Sequence, residues 1–167
     1  MVAICCLGLV GCVFAASPPR GETLRASKIG FVTMRDCLMP DQSDCHGSGV
    51  MATAVFARVF GHDRSTHTKI LPRPVSPIAD FPDGDACELA RSQAFQYVVN
   101  GEVRDYRDMP PVLSVRIRDR AGVWVRLLDV RDCSILASVD DVNTGPANGS
   151  PEPLLQELAE SLFDSVP

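Results

Sequence analysis

Seven cysteines, three histidines and a single tryptophan are the side chains of this sequence most able to do distinctive chemistry. Four of the cysteines, Cys37, Cys45, Cys87 and Cys133, lie in the body of the chain. An even set of this size suits two disulfides in an oxidising compartment. Of the three possible connectivities, Cys37–Cys45 with Cys87–Cys133 is preferred. The competing chemistry is zinc, with His46 beside Cys45 joining the thiolates. Against it, no C-x-x-C pair is present and oxidation removes free thiolates. Free buried cysteines are a third reading. The stretch HGSGVMA (46–52) puts His46 two residues from Ser48 and sets glycines before an apolar period. It lacks the Lys-Ser/Thr of a phosphate-binding loop, and no acid is placed to orient a histidine base. Ser48 therefore reads as a helix cap, not a nucleophile. His62 and His67, within GHDRSTH, read as solvated surface. No catalytic residue, metal ligand or cofactor is expected.

The remaining three cysteines lie in the opening run MVAICCLGLVGCVFAA, residues 1–16, which carries no charge. Sixteen residues fall short of the roughly 20 that cross hydrocarbon as a helix, so a secretory signal fits better than a membrane span. No Lys or Arg precedes the run, which points to a true start upstream of Met1. Val13-Phe14-Ala15 would serve ordinary signal peptidase and release a soluble chain. Leu9-Val10-Gly11-Cys12 resembles the bacterial lipobox at all four positions and is preferred. That resemblance implies acylation of the Cys12 thiol, cleavage before it and acylation of the new amino group. One acyl chain binds a membrane marginally and each further buried methylene adds about 0.8 kcal/mol, so three chains anchor durably. Val13 in place of an aspartate implies, by likeness to enterobacterial lipoproteins, the outer membrane. The expected division is a signal peptide over 1–11, lipidated Cys12 with a tether over 12–27, and one domain over 28–167.

Within that domain, IGFVTM (29–34) suits a buried strand. Ala52, Val55, Phe56, Val59 and Phe60 recur at helical spacing from Gly49 to Phe60, with Gly61 as the stop. Lys69–Leu71 is a weak second strand, and PRPVSPIADFPDG (72–84) has no period. Asp85 and Glu88 form a capping-box pattern for a second helix with Leu89, Ala90 and Ala94 inward. Strands follow over 97–103, over 113–118 with Leu113, Val115 and Ile117 alternating, over 123–127, and over 135–139. Turns are expected at Met109-Pro110-Pro111, Arg120-Ala121-Gly122 and 130–133. Ser150 and Pro151 open a last helix, with Leu154, Leu155, Leu158, Leu162 and Phe163 inward. The result is an α/β (α+β) fold, β-α-β-α-β-β-β(-β)-α, with a mixed sheet of five to six strands. Counted through that topology, all four cysteines fall at one sheet edge, which favours the two bridges.

The segments KIGFVTMRD, GSGVMATAVFARVF, AFQYVVNGEVRDY, LSVRIRDRAGVWVRLLDVRDCSIL and PEPLLQELAESLF resemble an uncharacterised family of short proteobacterial lipoproteins. That family in turn resembles the TolB N-terminal domain and the periplasmic domain of the curli secretion lipoprotein. This chain departs from it in the short DYRDMPPVL, where the family carries a Trp- and acid-rich segment. The resemblance implies a non-enzymatic envelope lipoprotein that works by interaction. The net charge of −5 argues against nucleic acid. Strand alternation puts Glu102, Arg104, Arg116, Arg118 and Arg126 on one wet face, with Trp124 in the same parity. This face reads either as cross-strand charge pairing or as a docking surface for an acidic partner or lipid headgroups. The expected partners are a membrane, through the lipid anchor at the periplasmic side of the outer membrane, and another protein or further copies of the chain. The alternative is a soluble periplasmic module, binding a small molecule or metal, released by signal peptidase.

Overall fold

The computed structural model describes residues 24–38, 45–62, 66–108, 118–146 and 150–167. The elements are β1 (Lys28–Val32), α1 (Ser48–Gly61), β2 (His67–Leu71), α2 (Asp83–Ser92), β3 (Tyr97–Arg107), β4 (Asp119–Asp129), β5 (Ile135–Gly145) and α3 (Glu152–Asp164). The five strands form one mixed sheet in the order β2-β1-β3-β4-β5. β1 runs parallel to both β2 and β3, while β3–β4 and β4–β5 are antiparallel. This is the predicted α+β order.

Period-two alternation sorts the sheet into two cores. Ile29, Phe31, Val99, Val123, Val125 and Leu127 face α1 and α3, where Phe60 stands edge-on to both Phe31 and Phe163. Their neighbours Val32, Val98 and Leu128 face the other way, onto Ala86, Cys87 and Ala90 of α2. The larger core carries two helices and the smaller core one short helix. Among the described residues, part of the second sheet face is therefore left uncovered. Leu24, inside the stretch read as tether, is fully buried in the larger core.

Local signals differed from the structure in several places. Ser48 does not cap α1: the N-cap is Gly47 at φ 82°, and no side chain of the cap closes the helix. The buried Asp36 carboxylate does so from beyond β1, accepting the N–H groups of Gly47 (2.9 Å) and Gly49 (2.7 Å). Ser48 Oγ instead accepts the Cys37 N–H at 3.1 Å. Gly49 is needed there because a Cβ would strike the Met34 carbonyl oxygen. α2 starts at Asp83 behind Pro82, with no capping box at Asp85. Ala94 lies past the end of α2, exposed at φ 58°, and does not face inward. The N-cap of α3 is Pro151 and not Ser150, whose Oγ nevertheless accepts the Glu152 N–H at 3.1 Å.

The strand series also changes. Arg120, Ala121 and Gly122 are not a turn but lie within β4, paired with Arg107, Tyr106 and Asp105. β3 runs on past Val103 through a register shift to Arg107. The strand expected around Leu113, Val115 and Ile117 lies outside the described residues.

Candidate interaction surface

The open half of the second sheet face is a charged cup. Glu102 of β3 pairs directly with Trp124 of β4, which pairs with Asp140 of β5, so these three side chains share one face. Arg126 lies with its guanidinium 3.7 Å from the Trp124 ring centroid, and Arg104 lies at 5.1 Å. Each arginine is also neutralised. Arg126 meets Asp83 at 2.6 Å, and Arg104 meets Glu102 at 3.0 Å and Asp140 at 2.7 Å. Its hydrogen bond to Glu102 is the main reason the Arg104 pKa is raised above its ordinary value. Arg35 extends the array by joining Glu102 to Asp80.

The aperiodic 72–84 segment supplies the other wall. Arg73 donates to the backbone carbonyls of Thr33 (3.1 Å) and Ala79 (2.6 Å) and lies 5.4 Å from the Phe81 ring centroid. Burial, and then the adjacent charge of Arg35, hold its pKa below the ordinary arginine value. The cup encloses about 400 Å³, with Arg35, Arg73, Phe81, Asn100, Trp124 and Arg126 in its walls. Asn100 donates to Phe81 O and to Asp83 Oδ1. Its own Oδ1, with Arg73 Nε and Arg126 Nε, is buried without a hydrogen-bond partner among the described residues. At Gly101 a side chain would run into the backbone of Trp124 and Val125, so glycine keeps β3 and β4 closely paired beneath the cup.

Of the predicted docking face, the structure therefore assembles Arg104, Trp124 and Arg126. Arg118 is exposed immediately before β4, and Arg116 lies outside the described residues. The face is an alternating charge network and not a positive patch. Arg35, Arg73, Asp80 and Phe81 were not read as part of it, because the Pro-rich segment and the end of β1 show no period that would aim them. Arg126→Ala should cost about 1–2 kcal/mol, since it removes a half-buried ion pair together with a guanidinium–ring contact. Chemical unfolding followed by the fluorescence of Trp124, the one tryptophan, would measure it.

The cysteines pair as preferred, but not where expected. Cys37 and Cys45 stand at disulfide distance with Cα atoms 5.0 Å apart, and Cys87 and Cys133 with Cα atoms 6.0 Å apart. They are not at one edge. Cys37 and Cys45 follow the C-terminal end of β1 and belong to the larger core, whereas Cys133 lies beyond Asp129, which pairs with Tyr97 at the start of β3, and Cys87 is in the smaller core. The two pairs thus occupy opposite ends and opposite faces of the sheet. Cys87 and Cys133 are thus apart from Cys37, Cys45 and His46. Among the described residues no group of three His, Cys, Asp or Glu is placed to hold a metal ion. His46, His62 and His67 are all exposed. Cys12 lies outside the described residues, and no described helix is long and apolar enough to cross a membrane.

No known family model matches the chain, and no characterised protein matches it in sequence. Solved structures do match its fold. PelC from Paraburkholderia phytofirmans, a dodecamer, superposes with a TM-score of 0.65 at 20% identity, covering 87% of this chain and 91% of that one. XCC0632 from Xanthomonas campestris, of family DUF330, gives 0.51 at 10% identity over 83% and 82%. TolB from Acinetobacter baumannii aligns 84% of this chain with 27% of its own at 13% identity, with a TM-score of 0.44. At these identities the likeness is one of fold. The chain has the α+β sandwich of PelC.

Proposed function

We propose that this protein is a bacterial envelope lipoprotein, held at the periplasmic face of the outer membrane through Cys12, whose folded domain works without catalysis by assembling with copies of itself or another protein. The observation that carries this reading is the fold shared with PelC over nearly the whole of both chains, since PelC is a dodecamer. The lipobox at Leu9–Cys12 and the two cysteine pairs, which suit an oxidising compartment, support the address. Metabolic labelling with palmitate should mark the wild-type chain and leave the Cys12→Ser variant unlabelled. An unlabelled, soluble wild-type chain starting near Ala16 would remove the anchor.

A second reading rests on the cup. Its volume, aromatic walls and unpartnered buried donors and acceptor suit a small polar ligand. In that case the released domain would be a soluble binding module, and the same soluble product would favour it.

A further inference from the structure

We propose that copies of this domain join edge to edge, with β5 of one against β2 of the next, so that the sheet continues from copy to copy through parallel strands. The inference rests on the self-assembly reading above and names the surfaces that would carry it. The sheet ends in β2 on one side and β5 on the other, and no described strand lies beyond either. Such edges offer rows of backbone donors and acceptors to another chain.

Three observations select the pairing. The first is polarity: β2 runs with β1 and β3, β4 runs against them, and β5 runs against β4, so β2 and β5 point the same way. Copies related by rotation about an axis near the strand direction keep that polarity, and β5 then meets the next β2 in parallel. The second is charge. On the sheet face that carries α2, β2 exposes Lys69, whose ammonium donates to Gln93 at 3.3 Å, and β5 exposes Asp140, which also pairs with Arg104. A two-fold pairing of β2 with β2, centred on its middle residue, would set Lys69 against its own copy, which destabilises a strand pair. The third is apolar exposure at both edges, with Ile70 on β2 and Ile135 on β5 about half exposed. The five residues of β2 can cover only part of the eleven of β5. Asp141 Oδ1 already accepts the Val142 N–H, so the contact falls on the Ile135–Asp140 half. A head-to-tail contact of this kind uses both edges of every copy and forms a ring where the rotation between copies closes.

The test is sedimentation of the full chain in detergent, with thermal unfolding of each variant as the control for folding. Wild-type protein should be oligomeric. Lys69→Glu and Asp140→Lys should each weaken association roughly a hundredfold, because like charges then face each other across the junction. The double variant, and an equimolar mixture of the two single variants, should recover the oligomer. If folded single variants stay as large as wild type, the edges are not the contact, although self-assembly stands. If wild type is monomeric, self-assembly itself is wrong and this inference goes with it.

Discussion

Replacing Cys87 and Cys133 together by serine should lower stability by about 4 kcal/mol, whereas the same change at Cys37 and Cys45 should lower it by about 2.5 kcal/mol. The difference follows from the chain that each pair closes, 46 residues against 8, because the longer loop gains more freedom in the unfolded state. Packing points the same way. Cys87 and Cys133 tie α2 to the β4–β5 hairpin across the smaller core, which a single ten-residue helix covers. The Cys37–Cys45 pair lies against the larger core, which two helices already hold. Urea unfolding of the two double variants without reductant would rank them. Equal losses would mean that one pair is not bridged in the folded protein.

The second large effect is at Asp36. Asp36→Ala should cost about 3 kcal/mol, because two N–H groups at the start of α1 lose a buried, charged acceptor and such bonds are worth about 1.5–3 kcal/mol each. The melting temperature should fall by about 10 °C for a domain of this size. Ser48→Ala loses only the bond from Cys37 N–H and should cost about 1 kcal/mol. Asp36→Asn keeps one acceptor oxygen and should fall between them. If Ser48→Ala proves the more damaging of the two, the helix is capped locally and not by Asp36.

These two cases show what the sequence can and cannot convey. The stripes of α1 and α3, the alternation of β3 to β5 and the shared parity of Arg104, Trp124 and Arg126 are short-range periods, and they could be read directly. Asp36 could not, since it reaches its partners from 11 and 13 residues away. Residues 120–122 mislead for a different reason. Arg-Ala-Gly looks like a turn, but Gly122 is in mid-strand, where a Cβ would lie 2.8 Å from Val142 Cγ2 and 3.2 Å from Asp105 Cβ. The expected turn made 123–127 a strand running with β3, whereas β4 runs against β3 from Asp119 to Asp129. The Cys133 hairpin was thereby moved to the wrong end of the sheet, although its partner was chosen correctly. The rear wall of the cup escaped notice because Arg73, Asp80 and Phe81 come from a proline-rich segment whose geometry is set by contacts to Thr33 and Arg35 beyond β1 and to Asn100 of β3.

Anchoring through Cys12 and oxidation of the four body cysteines carry the proposed location, and one intact mass of the mature chain purified from bacterial membranes tests both. The expected species begins at Cys12, carries a diacylglycerol thioether and an N-acyl chain, and has its other four cysteines oxidised in pairs. A chain that retains its leader, or begins unmodified near Ala16, or offers four thiols to an alkylating reagent, would contradict the proposed place and state of this domain.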